Sequence, residues 1–147
     1  MFEYKCNIVK VIDGDTVDVD IDLGFGIWVK DERVRVMGID TPESRTRDLV
    51  EKKFGLAAKQ RLKELLNKDA VLVTQVNKNG EDMKGKFGRI LGDFKVFDRK
   101  TDSLRQCAAI MIEEGHAVKY EGQNKDDIQA AHLKNRERLI ENGIVQL

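Results

Sequence analysis

Three short blocks hold the side chains that could do chemistry together. Asp13-Gly14-Asp15-Thr16 reads as a turn between strands, Arg35 sits in a later strand, and Ile39-Asp40-Thr41-Pro42-Glu43 follows it directly. Hard divalent cations take several oxygen ligands at once. Asp15 and Asp40 could each offer a carboxylate, and a backbone carbonyl near Thr41, held extended by Pro42, could add a third oxygen. Asp13 reads as a turn residue whose side chain caps the Asp-Gly turn, with a second ligand role as the alternative. Glu43, three residues after Asp40, could hold or deprotonate a water without touching the ion.

Two cationic groups complete the set. Arginine suits a phosphate because its planar fork donates two hydrogen bonds and keeps its charge near neutrality, which makes Arg35 a candidate clamp. In Gly85-Lys86-Phe87-Gly88-Arg89 two glycines flank a bend that would deliver Lys86 and Arg89 toward one open face, where they could neutralise charge developing on a phosphoryl group. A cation, a positioned water and two arginines suffice for phosphodiester hydrolysis.

Elements with strong local signals must carry these residues. Strands are expected at Tyr4–Val11, Thr16–Leu23, Ile27–Val29 and Arg33–Met37, with Val17, Val19, Ile21 and Leu23 alternating against Asp18, Asp20 and Asp22. A helix with a basic outer face (Lys59, Arg61, Lys63) is expected over Leu56–Asn67. Ala70–Val76 and Arg89–Phe97, the latter broken at Gly92-Asp93, form a hairpin around a polar loop from Asn77 to Lys86. Ser103 caps a helix running through Glu114 to Gly115, and a last helix spans Asp126–Asn142 before Gly143. Strands followed by segregated helices, with no linker or repeat, predict one α+β domain over residues 1–147, a small barrel closed by helices.

Equal counts of basic and acidic residues, 26 each, exclude nucleic-acid binding by bulk charge alone. The distribution is uneven: residues 1–43 hold 5 basic and 10 acidic side chains, and residues 44–68 hold 8 and 3. Arg45 to Lys68 could therefore track a phosphate backbone. Cys6 and Cys107 lack ligand spacing and read as reduced, buried thiols. No run is long enough for a membrane span, and no apolar stretch follows a basic start, so a cytoplasmic chain is expected. Asp18, Asp20 and Asp22 are a solvated strand face, because Leu23 and Val29 stand where an EF-hand loop needs glycine and its final carboxylate. His116 and His132 are assigned packing or surface roles, and Trp28 partial burial.

Val11-Ile12-Asp13-Gly14-Asp15-Thr16, Arg35 through Glu43 and Gly88-Arg89 resemble the three signature blocks of the staphylococcal nuclease (thermonuclease) family, in that family's order and at compatible spacing. Val50-Glu51-Lys52-Lys53-Phe54-Gly55 is similar to its segment before the first helix, and Glu114-Gly115-His116-Ala117 to the end of its second. The resemblance implies a five-stranded OB-type β-barrel with three α-helices, and Ca²⁺ bound by Asp15, Asp40 and the Thr41 carbonyl. It also implies that Arg35 and Arg89 hold the scissile phosphate and that Glu43 is general base or water-positioning group. The activity implied is cleavage of DNA or RNA with 3′-phosphates left; a preference for single strands and a monomeric protein are also expected. Lys86, Phe87 and Tyr120 would contact substrate, although Phe87 replaces a tyrosine and Tyr120 is displaced by one position. Two rivals are a nucleic-acid-binding OB module without catalysis and a protein-interaction domain using the acidic Asp18–Asp22 face.

Overall fold

The computed structural model describes residues 2–66, 70–75 and 88–147. The expected loop from Asn77 to Lys86, with Phe87 beside it, lies outside these. Strand β1 (Phe2–Asp13) pairs antiparallel with β2 (Thr16–Gly24), which pairs antiparallel with β3 (Ile27–Val36). The first half of β1 pairs with β5 (Val71–Thr74), and β5 with β6 (Ile90–Asp98). A parallel contact between β3 and β6, Val34 beside Ile90 and Arg35 beside Leu91, closes the ring. The result is a closed five-stranded OB-type barrel, as expected. One long strand serves two neighbours because register shifts after Ile8 and Val11 bend it.

The alternation in β2 points Val17, Val19 and Ile21 into the barrel, where they meet Val34, Val36, Leu72, Phe94 and Val96. Leu23 departs from expectation and is exposed, because the β2–β3 hairpin outruns the barrel. β3 is one continuous strand, not two. β6 likewise runs unbroken through Gly92, where a side chain would lie 2.5 Å from the Val73 carbonyl oxygen. Trp28 is 38% exposed, with the Lys30 ammonium 5.4 Å from its ring centroid.

Helix α1 spans Leu49–Leu65, two turns earlier than periodicity suggested. Asp48 caps it by accepting from the Val50 and Glu51 N–H groups, both at 3.1 Å. Its inner face buries Phe54, Ala58 and Leu62. Arg61, expected on the open basic face, instead pairs bidentately with Glu114 at 2.5 and 2.8 Å and ties α1 to α2.

Ser103 does not cap a helix. It belongs to β7 (Ser103–Gln106), which extends β6 beyond the barrel, and α2 begins at Cys107 and ends at Glu113. The cap comes from another strand: Asp93 of β6 accepts from Ala108 N–H at 3.2 Å as well as from Phe94 N–H at 2.8 Å. Burial pushes the Asp93 carboxyl up to about 6, against 3.8 unperturbed, because two N–H donors do not replace its lost water. A folded-state value above the unfolded one means stability present below pH 3.8 is lost as pH rises through about 6. The rise corresponds to about 3 kcal/mol. Asp93→Asn keeps an acceptor for both N–H groups, so denaturant unfolding between pH 4 and pH 7 should lose that downward slope.

A two-stranded ladder, β4 (Ile39–Asp40) with β8 (Val118–Lys119), and helix α3 (Lys125–Glu141) complete the chain. Both cysteines are free and buried, and burial raises both thiols, Cys6 to about 11. Among the described residues no helix is long and apolar enough to cross a membrane.

Candidate active site

Turns at the ends of β1, β3 and β4 bring the first two sequence blocks together. Gly14, in the β1–β2 turn, has no room for a side chain: a Cβ there would lie 2.8 Å from the Ala58 Cβ and 3.2 Å from the Thr41 Cγ2. The turn carrying Asp15 is thus seated between α1 and Thr41. Arg35 connects the blocks electrostatically, its Nη2 standing 3.3 Å from Asp15 Oδ2 and donating to the Ile39 carbonyl at 2.9 Å. Its Nη1 donates to the Val36 carbonyl at 2.5 Å. Two of its five N–H groups are thereby engaged in hydrogen bonds to backbone carbonyls, leaving others for a phosphate oxygen.

Asp15 also accepts from Thr16 Oγ1 at 2.9 Å. Asp13 does not cap its own turn; it accepts from Ser44 Oγ and from Arg45 Nη2 (2.9 Å), anchoring the start of the loop after Glu43. Asp40, Thr41 and Glu43 share the wall of a pocket of about 330 Å³ with Tyr120, Lys125, His132 and Arg136. Tyr120 is half exposed there, and its N–H donates to the Gly38 carbonyl at 2.8 Å.

Arg89 lines a neighbouring depression with Asp13, Thr16, Asp18, Arg33 and Arg45. The β3–β6 register places Leu91 beside Arg35, and Arg89 immediately precedes the start of β6. Lys86 and Phe87 lie outside the described residues.

Glu43 sits among other carboxylates. Its pKa is raised, first by burial and then by the charges of Asp13, Asp15, Glu51 and Asp40. The same convergence bears on a cation. Among the described residues no three acidic, histidine or cysteine side chains form a ready metal cage. The oxygen donors nonetheless suit a hard ion: Asp15 and Asp40 are partly exposed carboxylates, at 15% and 37%, adjoined by the Thr41 backbone, in a field crowded with negative charge.

Two residues at the site were not identified from sequence. Glu51, in the first turn of α1, accepts from Glu43 N–H at 2.9 Å and so fixes the peptide that carries Glu43. The signal for it was the Asp48-x-x-Glu51 spacing of a helix start. His132, assigned to packing or the surface, is buried with its Nε2 2.6 Å from Asp40 Oδ2, across 92 residues of sequence. His116 is also buried, its pKa lowered by that burial, and it faces the far side of α1 with Arg61 and Glu114.

A family model described as staphylococcal nuclease homologue matches residues 33–141, which include Arg35, Asp40, Thr41, Glu43 and Arg89. The chain is 31% identical over 121 residues to the micrococcal nuclease of Shigella flexneri, covering 80% of this chain and 59% of that protein. Similarity to protein ParB of Escherichia coli is also 31% over 121 residues, with 80% and 58% covered. The thermonuclease of Staphylococcus intermedius is 34% identical over 84 residues, 57% of this chain and 44% of that protein. The chain therefore spans less than two thirds of the length of each of these relatives.

Proposed function

The chain belongs to the staphylococcal nuclease homologue family, and on that premise we propose that it is a Ca²⁺-dependent nuclease of low sequence specificity that cleaves DNA or RNA and leaves 3′-phosphates. The observation carrying this reading is the seating of the Asp15 turn against Thr41, with Arg35 bridging Asp15 and the Ile39 carbonyl. Asp15, Asp40 and the Thr41 carbonyl would hold the ion, which when bound polarises a phosphoryl oxygen.

The protein's own groups do the rest. Glu43, its peptide held by Glu51, accepts a proton from the attacking water or aligns it. Arg35, its plane fixed by two backbone carbonyls, presents its remaining N–H groups to the equatorial oxygens, where charge builds in the transition state. Arg89, just before β6 and lining the depression that also holds Asp13, would supply the second guanidinium to the phosphate. Tyr120, half exposed in the pocket beside Glu43, gives a neighbouring base a surface on which to stack. Single strands are the expected substrate, with the protein acting as a monomer in the cytoplasm.

Digestion of a labelled single-stranded oligonucleotide with Ca²⁺, Mg²⁺ or EDTA tests the proposal. Cleavage with Ca²⁺, none in EDTA, and fragments that phosphatase treatment renders extendable at their 3′ ends are expected. Binding without cleavage in every metal would instead establish a non-catalytic nucleic-acid module.

A further inference from the structure

Asp40 lies on the weakest support in the site. β4 is two residues long and, among the described residues, pairs only with β8, also of two residues, so backbone pairing fixes the Asp40 peptide far better than it fixes the carboxylate. That side chain is 37% exposed and would otherwise sample several rotamers. What meets it is the imidazole of His132, 9% exposed, with Nε2 2.6 Å from Oδ2. An ionised carboxylate only accepts, so Nε2 carries the hydrogen and donates it.

The imidazole is held by a helix that is itself anchored along its length. Asn124 caps α3 by accepting from Asp127 N–H at 2.8 Å. Asn135 Nδ2 donates to the Ala117 carbonyl at 3.3 Å, next to β8, and Arg138 Nη2 donates to the Glu113 carbonyl at 2.5 Å. Leu139 packs with Phe54 of α1 and with Val145 in a separate apolar cluster. The ring cannot follow the carboxylate, so the carboxylate conforms to the ring.

We propose that His132 is a positioning residue: it holds Asp40 Oδ2 by hydrogen bond and so leaves Oδ1 as the oxygen that ligates the cation. This assigns α3 a part in the site beyond covering the barrel. The inference rests on the Ca²⁺ reading above. A hydrogen bond to a ligating side chain removes rotamers that would otherwise be lost on binding, and losing such a partner typically weakens a metal site about 10–100-fold.

Calorimetric titration of Ca²⁺ into the full chain, without nucleic acid, tests it. His132→Ala and His132→Leu are expected to bind Ca²⁺ about 10–100-fold more weakly than wild type, while His132→Gln, which keeps an N–H donor, recovers part of the loss. His132→Leu fills the buried space and keeps the comparison open should the alanine variant fail to fold. Wild-type affinity, or tighter binding, in a folded donor-less variant would overturn the positioning role and leave the Ca²⁺ reading intact. A wild-type chain that binds no Ca²⁺ would overturn both.

Discussion

Replacing Glu43 with glutamine is expected to lower turnover of single-stranded DNA by about 10²–10⁴-fold, the usual contribution of a positioned acid or base, while stability in chelator-containing buffer does not fall. The first effect follows from removing the group that takes the proton of the attacking water. The second follows from the surroundings of that group. Burial and four neighbouring carboxylates raise the Glu43 pKa, so its ionised form is disfavoured in the folded state. Stability present below the ordinary glutamate range is lost as pH rises through the folded-state value, and glutamine, which never ionises, escapes that loss.

The glutamine is nearly isosteric and the Glu43 peptide is still held by Glu51, so the local backbone should be kept. Activity then falls while stability is kept, as expected where a site holds an unfavourable arrangement for its chemistry. Single-turnover rates and thermal melting in EDTA measure the two effects separately. A variant retaining most of its turnover would show that Glu43 neither accepts the proton nor aligns the water.

The parts of this site that could be read from sequence are those contained in one short segment. Asp13 to Thr16 and Ile39 to Glu43 each place their side chains through a single turn, so residue types and spacing are enough. The strand alternation at Val17, Val19 and Ile21 was equally direct, since these positions face one barrel interior. Its failure at Leu23 has the same origin: the pattern reports the pleat of a strand, not where the barrel beneath it ends. The start of α1 was missed because its apolar residues Leu49 and Val50 are exposed and three charged residues follow, so no buried apolar stripe marks it and capping chemistry is the clearest signal. Ser103 was misread because serine suits both a helix cap and the turn and strand that follow Asp98, and the true cap comes from Asp93 on another strand. His132 could not be assigned from local pattern at all, because its meaning depends on a partner 92 residues away.

Gly55 shows how far the chemistry depends on packing that carries no reactive group. It lies mid-helix, where glycine costs about 1 kcal/mol relative to alanine, yet a Cβ on it would meet the Glu43 carbonyl group and lie 2.6 Å from Ser44 N. These are backbone atoms and cannot swing aside as a side chain could. Nor can α1 easily withdraw, because Phe54, Ala58 and Leu62 are fully buried beside it. In Gly55→Ala the turn carrying Glu43 must therefore shift, by about 1 Å if an ordinary carbon contact is to be restored, and a displacement of that size costs roughly 10² in rate. The overpacking, typically about 1–3 kcal/mol, is partly offset by the better helix former, so the melting temperature should fall only modestly. The expected result is a folded protein with about 100-fold lower turnover and no reacting group changed. Wild-type turnover in that variant, measured beside its melting temperature, would show that the Glu43 turn is not held in register by its contact with the helix.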